Sequence, residues 1–219
     1  MNEIINTTLL GLFFGIFGTT IGGIIGINIK NTSNKELSFI LNLAAGLMVS
    51  IVCFELIPEA LEISNIFIIL VGTIWGVIVM IFCDIIVNKK INKKNSNKSS
   101  LLKTGITVGI GLAIHNFPEG LAIGTGFEAS AKLGFSLCLA IAIHDVPEGI
   151  SMSVPMKNGG MKVSKVLFYT VLSGITTGLG AVFGAILGEI STNAIAICLS
   201  LAAGAMLYIA SRRINSRIK

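Results

Sequence analysis

One short motif that combines histidine, proline and glutamate occurs twice in this chain of 219 residues. HNFPEG begins at His115 and HDVPEG begins at His144, and the sequence contains no other histidine. In each copy the glutamate follows the histidine by four positions, so both side chains lie on one face of a helix. Imidazole and carboxylate groups together suit divalent transition metals. The candidate metal ligands are His115, Glu119, His144 and Glu148.

The segments around both motifs are apolar enough to lie within a membrane. Apolar residues make up 53% of the chain and charged residues only 12%, and the charges are concentrated in short stretches. A soluble protein spreads its charges over its surface, so this composition predicts an all-α polytopic membrane protein. Seven stretches reach the length of about 20 residues that a helix needs to cross the hydrocarbon core. They lie at roughly 7–29, 37–61, 65–87, 104–127, 131–156, 164–188 and 193–210.

The basic residues predict how these spans are oriented. Every lysine and arginine except Lys132 falls on one side of the seven spans, many of them in the Lys/Asn/Ser-rich linker 88–100. The positive-inside rule makes that side cytoplasmic. The sequence predicts a single transmembrane domain over 1–219 in the cell membrane, with the N-terminus outside and the C-terminus inside. Because apolar spans separate the basic residues, nucleic-acid binding is not predicted.

The two motifs are predicted to face each other in the middle of the membrane. The short link 128–130 makes spans four and five antiparallel neighbours, which brings His115 to the level of Glu148 and Glu119 to the level of His144. A carboxylate at this depth costs at least ~2.5–3.5 kcal/mol on insertion scales. Because a divalent cation would neutralise several such groups at once, the arrangement predicts a metal site.

Three further residues are candidates for the same site. Asn116 and Asp145 each follow a motif histidine, about 100° further around the helix. They could bind a second ion or orient the ligands of the first. Met48 could supply a thioether, although methionine in an apolar helix is usually a packing residue. The four cysteines occur singly, which predicts neither disulfides nor a thiolate zinc site.

At HNFPEG and HDVPEG the sequence resembles the ZIP (ZRT/IRT-like) metal transporters, and among these the bacterial GufA-like branch. The resemblance extends to LIPEA at 56–60 and AAGAMLY at 202–208. It implies helices in a 3+2+3 inverted-repeat arrangement, import of metal toward the cytoplasm, and a two-metal site on helices four and five. By matching positions, the primary ligands would be His115, Glu119, His144 and Glu148, with Met48 nearby, and Asn116 and Asp145 would frame the second metal.

Two departures from the family pattern change these expectations. Thr177-Gly178 stands where many bacterial members have Glu-Pro, which removes one carboxylate from the surroundings of the second metal. One bound metal is therefore expected rather than two. The chain also ends soon after AAGAMLY, so the eighth helix of the family is expected to be missing.

The function predicted from these features is import of Zn²⁺ as transported substrate, with Fe²⁺, Mn²⁺, Co²⁺ or Cd²⁺ as alternatives that the same ligands suit. No organic cofactor is expected, and the chain could form a homodimer. Two other interpretations stay open. The chain could be a shortened, transport-inactive homologue that serves as a metal-binding partner. It could also be an intramembrane metallohydrolase, in which the metal activates water, although an HEXXH motif is absent.

Overall fold

The computed structural model describes residues 2–29, 34–94 and 100–215, and within these ranges the chain is helical and contains no strand. Seven of the described helical stretches are long and apolar enough to cross a membrane. The predicted all-α polytopic membrane protein is therefore confirmed. The helices are α1 (Asn2–Asn28), α2 (Asn34–Ile51), α3 (Ile57–Ile63), α4 (Ile66–Lys94), α5 (Ser100–Ala129), α6 (Ala131–Asn158), α7 (Val163–Gly188) and α8 (Thr192–Asn215).

The second predicted span is not one uniform α-helix. Between α2 and α3 the chain forms five residues of π-helix, Val52–Leu56. Pro58 explains this departure, because it lacks an N–H and its ring crowds the carbonyl group four residues earlier. A locally wider helical turn accommodates both effects. The predicted span at 37–61 therefore lies within one continuous helical stretch that contains a π-helical segment.

Helix α4 continues further than the apolar pattern indicates. It runs to Lys94, so residues 88–94 of the predicted linker are helical. Lysine is a good helix former, and this stretch contains neither glycine nor proline to end the helix. The predicted linker also includes residues 95–99, which lie outside the described residues, and Ser100, which begins α5.

Four helices form a bundle around the two motifs. In cyclic order α5 packs against α6, α6 against α1, α1 against α7, and α7 against α5. The remaining helices pack beside this bundle, where α8 contacts α2, α3, α4 and α5. Near the C-terminal end of α8, Arg212 forms an ion pair with Asp84 of α4. The hydroxyl of Tyr208 donates a hydrogen bond to the same carboxylate at 2.9 Å.

Close helix contacts in the bundle depend on glycine. A Cβ atom at Gly18 of α1 would lie 2.6 Å from the carbonyl oxygen of Ala142 and equally close to the Cβ of Asp145. Small residues allow helix backbones to approach closely in a membrane, where the hydrophobic effect does not drive helices together. The glycines therefore bring α1 directly against the motif of α6.

A single residue, Ser130, connects α5 and α6. Its side chain accepts a hydrogen bond from the backbone N–H of Leu133 at 3.2 Å, which caps the first turn of α6. So short a connection forces the two helices to run antiparallel, and this sets the relative level of the two motifs.

Candidate metal site

Two histidines and two glutamates from α5 and α6 converge inside the bundle. Each offers one ligand atom, and these atoms all lie within 4.8 Å of one another. His115 is 2% exposed, and the other three side chains are fully buried. The members of this group, called the His/Glu cluster below, are His115, Glu119, His144 and Glu148.

The contacts within the His/Glu cluster cross between the two helices. Nε2 of His115 lies 3.0 Å from both carboxylate oxygens of Glu148. Nε2 of His144 lies 2.7 Å from Oε1 of Glu119. The same Oε1 atom is 3.0 Å from Nε2 of His115, so Glu119 contacts both imidazoles. The levels predicted from the short antiparallel link are therefore confirmed.

The hydrogen bonding of His144 gives a physical reason why this cluster could hold a cation. Its Nδ1 lies 3.3 Å from the backbone carbonyl oxygen of Ala140, which can only accept a hydrogen bond. When Nδ1 carries the ring proton, Nε2 presents a lone pair to the carboxylate of Glu119. Two acceptors then face each other in a buried site, and a positive charge between them removes the repulsion. Nitrogen and oxygen ligands in this number suit a divalent transition metal.

Buried apolar residues lie beyond the cluster at both ends. Leu112 precedes His115 by three residues and Met152 follows Glu148 by four, and both belong to a buried apolar group at one end. Ile123 follows Glu119 by four residues and Ile141 precedes His144 by three, and both belong to a larger apolar group at the other end. The His/Glu cluster is therefore buried, with an apolar group further along the two helices at each end.

The sequence comparisons agree with this site. The family model described as ZIP Zinc transporter matches residues 86–214, which include both motifs. A zinc transporter ZupT of Akkermansia muciniphila is 33% identical and aligns with 93% of this chain and 82% of its own length. The ZupT of Clostridium perfringens is also 33% identical, over 95% of this chain and 85% of its own length.

This chain belongs to the ZIP family. A third relative, the ZupT of Streptococcus mutans, is 32% identical over 93% of this chain and 82% of its own length. The resemblance inferred from the motifs is thus confirmed across nearly the whole sequence. Because these ZIP relatives are transporters, this ZIP protein is not an enzyme, and the metallohydrolase interpretation is wrong.

The residues predicted to surround the primary ligands occupy different environments in this ZIP protein. Asp145 is fully buried, and its Oδ1 lies 3.6 Å from Nε2 of His144. Met48 is fully buried on α2 and belongs to a small apolar group with Ala45 and Ala210. Asp145 thus borders the His/Glu cluster, whereas Met48 packs in an aliphatic group and its role as a ligand stays a prediction.

Asn116 is also fully buried and makes a contact that the sequence does not indicate. Its amide nitrogen donates to the backbone oxygen of Ser173 on α7 at 3.1 Å and lies 3.3 Å from the hydroxyl oxygen of the same residue. Ser173 lies in SGITTGLGA, whose small residues indicate close helix packing and nothing more specific. No sequence signal pairs it with Asn116, because the contact joins residues 57 positions apart.

Thr177 lies one turn beyond Ser173 on α7 and is fully buried. Its side chain packs against α1, since a Cβ atom at Gly15 would lie 2.5 Å from the Cβ of Thr177. Among the described residues the Thr177 hydroxyl has no hydrogen-bond partner. The position where the family pattern often has a glutamate is therefore neutral and tightly packed in this ZIP protein.

Proposed function

We propose that this ZIP protein carries divalent transition-metal ions across the cell membrane, with Zn²⁺ as its principal substrate. The observation that supports this most strongly is the buried cluster of two imidazoles and two carboxylates, whose ligand atoms lie within 4.8 Å of one another. Relatives that are named zinc transporters and align with most of the chain support the same substrate.

In this proposal the two apolar groups beyond the cluster act as barriers to the ion, and this indicates the mode of transport. A metal ion held between them is separated from water on either side, so the protein must open one barrier at a time. This corresponds to alternating access around a site near the middle of the membrane. The cluster and the barrier residues named above all belong to α5 and α6, so opening either end requires these two helices to move relative to each other or to the helices packed against them.

We propose that transport runs into the cytoplasm. The basic residues lie on the side of the C-terminus, which the positive-inside rule assigns to the cytoplasm. The N-terminus is then outside. In this orientation the apolar group of Leu112 and Met152 forms the cytoplasmic barrier, and the group of Ile123 and Ile141 forms the outer barrier.

The same ligands accept Fe²⁺, Mn²⁺, Co²⁺ and Cd²⁺, so these ions are proposed as secondary substrates. We propose one bound metal in the occluded state. The neutral Thr177 hydroxyl does not supply the charge that a second divalent ion beside the first would need. In this proposal Asp145 belongs to the single metal site, because it is a buried carboxylate beside His144.

Transport is tested with the purified chain in liposomes that enclose a fluorescent zinc indicator. We expect zinc-dependent fluorescence from wild-type liposomes and a signal no higher than that of protein-free liposomes from the His115→Ala/His144→Ala variant, because the site then loses both imidazoles. A variant signal equal to the wild-type signal would contradict the site.

The same preparation separates transport from binding alone. Zinc that binds the native form of the protein in preference to the unfolded form raises its melting temperature. A zinc-dependent rise without uptake would support the transport-inactive interpretation and contradict the proposed carrier. Absence of both signals would exclude zinc as the substrate.

A further inference from the structure

The second position of the repeated motif makes a different helix contact in each copy. In the first copy Asn116 donates its amide hydrogens to α7 at Ser173. In the second copy Asp145 lies against α1, where a Cβ atom at Gly18 would be 2.6 Å from the Asp145 Cβ. The first contact uses a hydrogen-bond donor that aspartate does not have, so the asparagine of the first copy has a contact of its own.

The contact with Ser173 determines which end of the Asn116 amide faces α7. The two ends of an amide look alike in shape, and their assignment rests on the hydrogen bonds they make. The Ser173 backbone oxygen can only accept, so the amide nitrogen must be the atom that lies 3.1 Å from it. The amide oxygen occupies the other branch of the group and is directed away from Ser173.

The Asn116 oxygen that results from this orientation is buried and has no hydrogen-bond partner within the part of the chain that the structure describes. A buried acceptor without a partner is costly, and native proteins usually provide it with one. Asn116 follows His115 directly on α5, the helix that carries two members of the His/Glu cluster. A cation at the cluster, or a water molecule bound to that cation, would give this oxygen the partner that it lacks.

We infer that Ser173 is a positioning residue for metal binding, which acts by holding the Asn116 amide with its oxygen presented to the interior of the bundle. This inference rests on the proposed function. It gives α7 a part in metal binding, although α7 contributes no member of the His/Glu cluster. It also explains why the first motif carries asparagine, since an aspartate there would place a carboxylate against the Ser173 carbonyl.

The inference is tested with Ser173→Ala, which removes the hydroxyl acceptor and keeps the backbone oxygen, so the same end of the amide faces α7 but only one of the two contacts that fix its angle remains. Losing one ordinary hydrogen bond should raise the KM for zinc uptake about fivefold, with Vmax per folded protein unchanged. A purely structural defect would lower the amount of active protein without raising KM. The matched control is Ser200→Ala on α8, since Ser200 is buried like Ser173 but, among the described residues, donates within its own helix, to Ile197 at 3.0 Å.

A double-mutant cycle shows whether the effect passes through Asn116. Zinc affinity is measured on purified protein by the zinc-dependent rise in melting temperature, which requires binding and not transport. We expect Ser173→Ala to weaken zinc binding about fivefold in the wild-type background and to have no further effect in the Asn116→Ala background.

Two results would overturn this role for Ser173. One is that the KM and the zinc affinity of Ser173→Ala lie within about twofold of the wild-type values, because the loss of one hydrogen bond should change both by more than that. The other is an equal loss of affinity in both backgrounds. In either case the wild-type protein still binds and transports zinc, so the proposed function stands. Failure of the wild-type protein to bind zinc would instead contradict the proposed function itself.

Discussion

Glu119→Gln is expected to lower zinc uptake at least ~100-fold, because it removes one charge from a buried, closely coupled group. Oε1 of Glu119 lies 3.0 Å from Nε2 of His115 and 2.7 Å from Nε2 of His144, so this one oxygen serves both imidazoles. Glutamine keeps the shape of the side chain but not its charge. Zinc-65 entry into liposomes, normalised to the amount of folded protein, measures the loss.

The matched control for this substitution lies on the same helix. Glu128→Gln makes the same chemical change near the end of α5, where the side chain is only half-buried and lies outside the His/Glu cluster. Uptake should stay within about twofold of the wild-type rate, as expected for a surface charge. If both substitutions reduced uptake equally, or if Glu119→Gln had no effect, Glu119 would not be a ligand.

Gly120→Ala is expected to destabilise the bundle strongly. Gly120 ends the first motif, and a Cβ atom there would overlap the backbone carbonyl of Thr177 on α7. The obstructing atoms belong to a backbone, so the helices themselves must separate. Overpacking of this kind costs ~1–3 kcal/mol or more, which corresponds to a fall in melting temperature of roughly 2–12 °C for a chain of this size. A thermal unfolding assay in detergent gives this value.

Gly111→Ala provides the comparison on the same helix, nine residues earlier. Nothing lies within 4 Å of a Cβ atom at that position. Alanine is the better helix former, so the melting temperature should stay the same or rise slightly. A fall in melting temperature as large as that of Gly120→Ala would mean that helix packing does not account for the glycine at 120.

The arrangement of the His/Glu cluster could be predicted from sequence because it depends on local rules. A spacing of four residues places histidine and glutamate on one helix face, and the short link at Ser130 makes the two helices antiparallel. These two facts are sufficient to pair His115 with Glu148 and His144 with Glu119. The seven apolar spans follow in the same way from length and composition.

Other features of the site depend on which helices become neighbours, and sequence spacing does not determine this. The contact between Asn116 and Ser173 exists because α7 packs beside α5, and neither residue type signals the other. The π-helical residues Val52–Leu56 could not be predicted either, since a proline allows several local adjustments and tertiary packing selects one. The role of Met48 stays a prediction for a related reason, because the buried residues that pack with it are aliphatic.

The most direct test of the central claim is the zinc K-edge X-ray absorption spectrum of the purified, zinc-loaded protein. The four-ligand cluster predicts nitrogen and oxygen neighbours at about 2.0–2.2 Å, with the outer-shell scattering of two imidazoles. One imidazole should be lost in His115→Ala and one in His144→Ala. A sulfur neighbour that disappears in Met48→Leu would add Met48 to the ligands. A spectrum without imidazole scattering, or one unchanged by both histidine substitutions, would show that zinc binds elsewhere and would contradict the account.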